Sequence, residues 1–560
     1  MILHLQYLLG LLAVIPVAAY IFFLSRYSLD IPYWDDYDAI LNSLLLIHGE
    51  KNIIHAIGPL FAQHVQHRIV ITRLIAWGDW KLFCEISFQR LIWVGNAFLF
   101  GVAFLLRRSL ASKNKGVIFA AVCFFIFHFA GWESSLWAMA ALSNYGVLFF
   151  GLATLFLVEQ RKPVLALVCG LLTTWSQGNG LLIWPLMIWM AFLLDQKRLA
   201  MASVAFMLAC TIIYFWDYRN PTQLVSPLHN LQMPLHILDY SVLMAGNLIP
   251  QKNLARILGS FNLLIVVFLC LRPRDKLHLK SFQVFLVMSI VLAAISRLQF
   301  GSSNAFSSRY TVYTSLLFVG NMAVLLDKPG YRASMMLILA IPFWLLSNMH
   351  ALPQAEARYK SLRAGLERLA MGDSGDSTVL SYPIPGAALD TLKRSYTAKL
   401  YNVLPVIIAQ QHLSLEGVSL HKPTNLSRLE NSPPTKVEIY LGTPGKFAGE
   451  AAGHLGGGVE QIEVLHNVML VSGHTDMALH EAGQALIVLL PRVLPLHHLL
   501  TMEETSGINT SSFRLLLIFA QPKEAIHASR NVCLGFRSIN TATTLLYNQN
   551  PACNSLAQAR

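Results

Sequence analysis

The sequence predicts a mainly α-helical membrane protein: a bundle of about eleven membrane-spanning helices, then an exported α+β region that ends in a β-sandwich. Three observations predict this fold class. The 560 residues are 55% hydrophobic and only 13% charged, whereas a soluble chain has about 25% charged residues. Apolar runs of about 20 residues, the length that crosses a hydrocarbon core, recur through residues 1–350. Residues 351–560 have the composition of a soluble region instead.

Apolar length selects the candidate spans, which are 5–24, 88–106, 116–131, 138–158, 163–177, 180–194, 199–216, 235–250, 254–271, 281–296, 311–326 and 331–349. The segment 235–250 contains His236, Asp239 and Asn247. We therefore expect it to lie on the membrane or to re-enter it, which leaves about eleven spans. We expect the first span to be retained, because its apolar run exceeds the roughly 7–15 residues of a signal-peptide core and no small-x-small site follows.

Basic residues predict the orientation. They are concentrated in every second turn between the accepted spans: Arg107, Arg108, Lys113 and Lys115; Arg161 and Lys162; Lys197 and Arg198; Arg272, Arg274, Lys276 and Lys280; Lys328 and Arg332. Short basic loops remain in the cytoplasm. The N-terminus is thus predicted inside, and the loop 25–87 and the chain after 350 outside. These turns largely explain the net charge of +12 without a nucleic-acid partner.

The chain divides into a transmembrane domain at 1–350, a helical exported linker at 351–430 and a β-sandwich-like domain at 431–560. Apolar runs between Gly, Pro and Asn turns predict strands in the last part, at 437–441, 462–471, 485–490, 513–519 and 532–536. Cys533 and Cys553 lie in the exported part, where an oxidising compartment favours a disulfide. Two unpaired thiols are the alternative, and we predict the disulfide.

The first external loop opens with a cluster of acids, Asp30-Ile-Pro-Tyr-Trp-Asp35-Asp36-Tyr-Asp38. Adjacent carboxylates repel each other, so one of them has a raised pKa and suits a general base. We expect only one of Asp35 and Asp36 to face a site, with Asp36 preferred. The alternative is structural, with Asp35 or Asp36 capping a helix over 39–48.

A second polar cluster follows in the same loop, within Phe61-Ala-Gln-His64-Val-Gln-His67-Arg68. On a helix, His64, His67 and Arg68 would share one face. Such a face binds a phosphate, or a metal ion that in turn binds phosphate. The alternative is a solvated helix face without a ligand.

These motifs resemble those of a known superfamily. YWDDYD, LFAQHVQHRIVITRL and SSRYTVYTSLLF are similar to motifs in a group of bacterial multispan membrane proteins of the GT-C glycosyltransferase type, where the first two read like W-D-E-W-D and A-Q-H-N-E-H-R. This chain has Asp36 where the group often has Glu, and Val65-Gln66 in place of Asn-Glu. The second motif thus lacks the acid that would support a metal role.

Two further loops supply candidate substrate-binding residues. Glu133 is the acid of the loop Trp-Glu-Ser-Ser-Leu-Trp, and Arg309 and Tyr310 precede the span 311–326. An external arginine runs against the positive-inside bias and suits bidentate binding of a phosphate. Arg297 is a weaker candidate. The alternative for all of them is ordinary polarity at helix ends.

The resemblance implies an integral-membrane, inverting transferase that moves a hexosyl or pentosyl group from a polyprenyl-phosphate donor to an envelope glycan, lipid or protein outside the cytoplasm. Asp35 or Asp36 would act as base, and His64, His67, Arg68, Glu133, Arg309 and Tyr310 would bind substrate. The sequence leaves open whether a divalent metal ion is needed. The competing hypotheses are a lipid or polysaccharide transporter or flippase, and an envelope polysaccharide assembly protein. Span centres almost free of charge favour the enzyme over the transporter.

Overall fold

Long α-helices dominate the first of two units into which the chain folds. In this computed structural model the described residues are 10–50, 52–110, 115–219, 227–271, 275–326, 332–370 and 380–403, together with nine strands between 418 and 546. The first unit comprises Met1–Ala364 and Gly375–Val403, and the second comprises Gly365–Ser374 and Leu404–Arg560.

The described helices are, in chain order, α1 Val14–Tyr27, α2 Ser43–Gly49, α3 Ile53–Phe61, α4 Val70–Phe83, α5 Phe88–Ser109, α6 Lys115–Ile126, α7 Trp132–Leu136, α8 Ala138–Glu159, α9 Pro163–Ser176, α10 Ile183–Leu193, α11 Lys197–Phe215, α12 Pro227–Asn230, α13 Pro234–Ala245, α14 Lys252–Cys270, α15 Leu277–Arg297, α16 Thr311–Leu326, α17 Arg332–Ala370 and α18 Pro385–Thr397. Two π-helical segments, Tyr37–Asn42 and Ala141–Tyr145, lie in the first loop and within α8. Short 3-10 turns cover Phe129–Gly131, Gly178–Leu182, Leu298–Phe300, Ser302–Phe306 and Ser308–Tyr310.

Within the described residues, seven helices are long and apolar enough to cross a membrane: Phe88–Ser109, Lys115–Leu136, Ala138–Glu159, Lys197–Phe215, Lys252–Cys270, Leu277–Phe300 and Met335–Gly365. They indicate a multi-pass membrane protein. The predicted count of about eleven is not confirmed. The apolar helices Val14–Tyr27, Pro163–Ser176 and Gly178–Leu193 are shorter, and 14 residues of α1 rise only about 21 Å against a core of about 30 Å.

A buried hydrogen-bond network joins four helices near the loop end of the bundle. Tyr20 Oη donates to Asn96 Oδ1 at 2.6 Å and lies 2.7 Å from Ser135 Oγ, which is 2.8 Å from Tyr145 Oη. A Cβ added to Gly95 would lie 2.5 Å from the Cβ of Ala141, so glycine allows α5 to approach the π-helical segment of α8.

The inter-helix turns separate into two groups, as the alternation of basic residues predicts. Glu159, at the end of α8, contacts His278 of α15, and His278 contacts Ser109 at the end of α5. At the opposite ends of these helices, the loop around Glu133 contacts Ser307 and Ser308. The turns near Ser109, Glu159 and His278 therefore share one end of the bundle, and the loops at Glu133 and Ser307 share the other.

The segment after residue 350, which is predicted to be exported, begins within α17, a 39-residue helix that continues without interruption to Ala370. Residues 380–403 belong to the first unit and pack on the first loop. Tyr401 Oη donates to Asp30 O at 2.7 Å, and Ile86 N–H donates to Leu400 O at 2.9 Å. The sequence predicts one linker region at 351–430. The structure divides this region, because residues 380–403 belong to the helical unit.

Strands make up the described part of the second unit after residue 403. They are β1 Val418–His421, β2 Lys436–Leu441, β3 Gly457–Leu465, β4 Val468–Thr475, β5 Gln484–Leu490, β6 Leu496–Thr505, β7 Ser511–Phe519, β8 Cys533–Ser538 and β9 Thr544–Leu546. One sheet has the order β1-β2-β5-β8-β9, with β1, β2 and β5 parallel, and the other is antiparallel with the order β3-β4-β7-β6.

The predicted β-sandwich is not confirmed by these sheets. The predicted strand 462–471 is divided between β3 and β4, which pair antiparallel from Leu465 opposite Val468. The sequence predicts a disulfide between Cys533 and Cys553. Cys553 lies outside the described residues.

Candidate functional site

A tight turn holds the acidic cluster of the first loop. Asp36 N–H donates to Tyr33 O at 3.1 Å, and Tyr37 N–H donates to Trp34 O at 3.3 Å. Trp34 adopts φ 48°, in the left-handed region that non-glycine residues rarely occupy. This backbone reversal directs Asp35 and Asp36 to different neighbours, and we call residues 33–38 the acidic turn.

Asp36 is buried, only 1% exposed, and both of its carboxylate oxygens are occupied. Oδ1 accepts the Met139 N–H at 2.9 Å and Oδ2 accepts the Tyr33 N–H at 3.0 Å. Burial raises the pKa of Asp36 to about 7, although the two N–H donors favour the ionised form. Asp36 therefore joins the first loop to the start of α8, and makes no side-chain cap on the segment that follows it.

Asp35 is the accessible carboxylate of the pair, with its side chain 35% exposed. Its Oδ2 lies 3.6 Å from His64 Nε2. Burial opposes ionisation, but the contact with His64 and the charges of Arg309 and Arg297 together hold the pKa of Asp35 below its ordinary value. The preference for Asp36 drawn from the sequence is thus reversed by the geometry, because Asp36 is enclosed and Asp35 is not.

The histidine motif forms a turn and not the expected helix. α3 ends at Phe61 and α4 begins at Val70, and His64 and His67 exchange backbone hydrogen bonds at 2.7 and 2.8 Å. Burial, followed by the charges of Arg297 and His64, lowers the pKa of His67 to about 3, so its ring is neutral. His67 Nδ1 is buried without a partner, beside Gly178, where an added Cβ would lie only 2.6 Å away.

Arg68 points away from Asp35 and binds backbone carbonyls. Its Nε donates to Tyr214 O at 2.7 Å, and its Nη atoms donate to Phe61 O and Trp216 O. Tyr214 Oη in turn accepts the Arg68 N–H at 3.0 Å. This geometry ties the histidine turn to the end of α11, so Arg68 acts in the structure as a connector between loops.

Glu133 and Arg309, which the sequence offers as separate candidates, form an ion pair with an Nη1–Oε1 distance of 3.6 Å. The hydroxyls of Ser307 and Ser308 each donate to Glu133 Oε2 at 3.1 Å. Burial opposes the charged form, but Tyr310, Glu133 and Asp35 raise the pKa of Arg309, which remains a cation. The guanidinium lies 5.5 Å from the centroid of the Tyr310 ring, and its buried Nε has no hydrogen-bond partner.

Arg358 of α17 is a residue of this region that the motifs do not reveal. It is 8% exposed, its Nη2 donates to Leu136 O at 2.9 Å, and its guanidinium lies 4.3 Å from the Tyr33 ring centroid. It is near enough to Asp36 and Glu133 to interact with their charges. The spacing of the sequence contains a sign of this position. Ala351, Ala355 and Leu362 are buried and lie on the same face of the helix as Arg358, in the charged part of α17.

One group of residues therefore converges at the loop end of the bundle: Asp35, His64, His67, Glu133, Arg297 and Arg309. It joins one accessible carboxylate to cations that retain unused donors, an arrangement suited to proton abstraction near a bound anion. Among the described residues, no group of three or more His, Cys, Asp or Glu side chains could hold a metal ion.

Comparison with known proteins found no match to this chain among protein-family models, curated proteins or solved structures.

Proposed function

We propose that this protein is an integral-membrane glycosyltransferase of the GT-C type. It would transfer a hexosyl or pentosyl group from a polyprenyl-phosphate donor to an envelope glycan, lipid or protein on the outer side of a bacterial inner membrane. The observation that carries the proposal is the position of the partly exposed Asp35, 3.6 Å from His64 and within the electrostatic reach of Arg297 and Arg309.

Asp35 is the proposed general base. Its depressed pKa keeps it ionised at neutral pH, and a carboxylate held this way can accept the proton of an acceptor hydroxyl. The hydroxyl oxygen then attacks the anomeric carbon, and the bond from that carbon to the phosphate oxygen breaks with inversion. The electron pair leaves with the polyprenyl phosphate, and the proton remains on Asp35.

Arg309 is the proposed partner of the leaving phosphate. Negative charge grows on that phosphate in the transition state, and a fixed cation stabilises it most when water is excluded. The side chain of Arg309 is 30% exposed and its Nε has no partner, so the guanidinium retains donor capacity for a ligand while Nη1 faces Glu133. The two serine hydroxyls on Glu133 hold this ion pair in place.

A lipid-linked donor accounts for the location of these groups. The candidate residues lie in the loops that join apolar helices, at one end of the bundle, where a headgroup phosphate would be presented from the bilayer. The acceptor would arrive from the aqueous side. The proposed orientation, with the N-terminus cytoplasmic and the C-terminus outside, rests on the Lys and Arg of the alternate turns.

The experiment compares glycolipids and surface polysaccharides of a deletion strain complemented with the wild-type chain, Asp35→Asn or Asp217→Asn. Asp217 is a matched control, because it is an exposed loop aspartate whose side chain is 71% accessible. Wild type and Asp217→Asn should restore a glycan that Asp35→Asn does not. Restoration by Asp35→Asn at equal protein level would overturn the assignment of the base.

A further inference from the structure

Residues 380–382, which are distant in the sequence, form hydrogen bonds with the acidic turn. Ser381 O accepts the Trp34 N–H at 3.1 Å, and Leu380 O accepts the Tyr37 hydroxyl at 2.9 Å. The Tyr382 hydroxyl donates to Asp38 Oδ2. The rings of Tyr382 and Tyr37 also pack at a centroid distance of 5.3 Å.

These contacts lie on both sides of Asp35 without engaging its carboxylate. Trp34 precedes Asp35, and Tyr37 and Asp38 follow it. The fixed neighbours thus determine where the Asp35 side chain points, while the side chain itself stays open to a ligand. This is the arrangement expected of groups that orient a reactive residue.

The turn needs such support because its backbone is strained. Trp34 is in the left-handed region, which a non-glycine residue keeps only when its surroundings compensate for the strain. The Trp34 N–H bond to Ser381 acts on the strained residue itself. Without residues 380–382 the turn would relax, and the orientation of Asp35 toward His64 would be lost.

We propose that residues 380–382 are a clamp that positions the acidic turn, with Tyr382 as its principal side chain, so that Asp35 faces His64. The catalytic consequence rests on the proposed transferase function, whereas the clamp itself does not. Tyr382 would be a positioning residue, since it reaches Asp35 only through Asp38 and the turn.

The first test measures hydrogen exchange of the Trp34 amide in the full chain, in lipid nanodiscs. Tyr382→Phe and Asp38→Ala each delete the bond between these residues, and each should speed exchange of that amide about tenfold or more. Asp38→Asn keeps an acceptor oxygen and should stay near the wild-type rate. Unchanged exchange in both Tyr382→Phe and Asp38→Ala would overturn the clamp.

Tyr401→Phe is the matched control. It removes one tyrosine hydrogen bond between the same segment and the same loop, but this bond reaches Asp30 O and not the acidic turn. Exchange at Trp34 should therefore be unaffected. Equal acceleration in Tyr401→Phe would show general loosening of the segment and would contradict a specific clamp.

The second test measures transfer from a labelled hexosyl polyprenyl phosphate. Tyr382→Phe should lower kcat about tenfold with little change in KM, because substrate binding is retained and the base is misplaced. The acid limb of the pH profile should also move upward, since Asp35 loses the contact that depresses its pKa. A wild-type kcat and profile in a variant with fast Trp34 exchange would overturn the positioning role. Inactivity of the wild-type chain would contradict the proposed function, leaving the exchange result to decide the clamp.

Discussion

The two ends of the helical bundle both contain buried histidine and carboxylate groups, but they use them differently. At one end His278 donates or accepts at both ring nitrogens, 2.6 Å from Glu159 and 2.7 Å from Ser109, and its backbone N–H also binds Glu159. At the other end, buried atoms of His64, His67 and Arg309 have no hydrogen-bond partner. The fully hydrogen-bonded group around His278, the closed network, stabilises helix ends. The group of His64, His67 and Arg309, the open network, retains hydrogen-bonding capacity for a ligand.

This difference matters because buried polar groups are normally paired, and an exception calls for a functional or ligand-dependent reason. Asp35, Glu133 and Arg309 come from three separate segments, and only the fold brings them together. The difference in hydrogen-bond satisfaction holds for the His278 group and the Asp35 group, and not for the whole ends of the bundle, because Ser281 and Gln283 beside His278 also have unpartnered buried atoms.

The largest effect should follow removal of the proposed base. Asp35→Asn should reduce the rate of sugar transfer by about 10²–10⁴-fold, because the amide cannot accept the proton of the acceptor. The measurement is kcat with purified protein in lipid nanodiscs. Asp217→Asn should remain at the wild-type rate. A loss of less than threefold in Asp35→Asn would place the base elsewhere.

Arg309→Ala should have the next largest effect, about 100-fold on kcat, because it deletes the cation next to the leaving phosphate. Arg309→Lys should recover part of this loss, since it keeps the charge but not the planar donor set. Both are measured as kcat and KM for a labelled polyprenyl-phosphate sugar. If Arg309→Ala changes KM alone, the residue binds the donor without stabilising the transition state.

A substitution in the His278 group should lower the stability of the fold and leave the transfer activity unchanged. His278→Ala leaves Glu159 and Ser109 without their shared partner and should cost about 1–3 kcal/mol in the free energy of unfolding. Unfolding in mixed micelles measures this loss, with His229→Ala as control because His229 is exposed. Transfer per folded molecule should be unchanged. A specific loss of kcat would make this end functional as well.

A separate effect concerns pH. Asp36 has a folded pKa of about 7 against about 3.9 in an unfolded chain. The folded state therefore binds more protons in this window, and stability present below about pH 4 is lost as pH rises through 7. The wild-type melting midpoint should fall by a few degrees across that window, and Asp36→Asn should remove this part of the dependence. A wild-type midpoint that rises instead would contradict the assigned pKa.

The sequence predicted which loops lie on the same side of the membrane, but not which side chains meet or how they point. The alternation of Lys and Arg placed Glu133 and Arg309 on one side, and the two do form an ion pair. The roles of Asp35 and Asp36 depend on the left-handed Trp34, which no propensity rule anticipates for tryptophan. The His64–His67 turn also departs from the helical spacing assumed for it.

Contacts between distant segments were the least predictable part. Arg358 and residues 380–382 reach the acidic turn only through tertiary packing, with 343 positions separating Tyr37 from Leu380. Polar composition after residue 350 suggested a linker, but the buried residues Leu380, Ala388, Leu392 and Leu400 anchor it to the helical unit. The apolar pattern of this segment is too short and has too few residues for the sequence to predict its packing on the helical unit.

The most direct test of the account is turnover of labelled polyprenyl-phosphate sugars by the purified wild-type chain, with Asp35→Asn and His278→Ala in the same assay. The donors should span hexosyl and pentosyl groups, with envelope lipid and glycan as acceptors. We predict release of polyprenyl phosphate by wild type and by folded His278→Ala, inversion at the anomeric carbon, and almost no release by Asp35→Asn. Equal turnover by Asp35→Asn, or no turnover of any donor by the wild-type chain, would contradict the assignment of the open end as a glycosyl-transfer site.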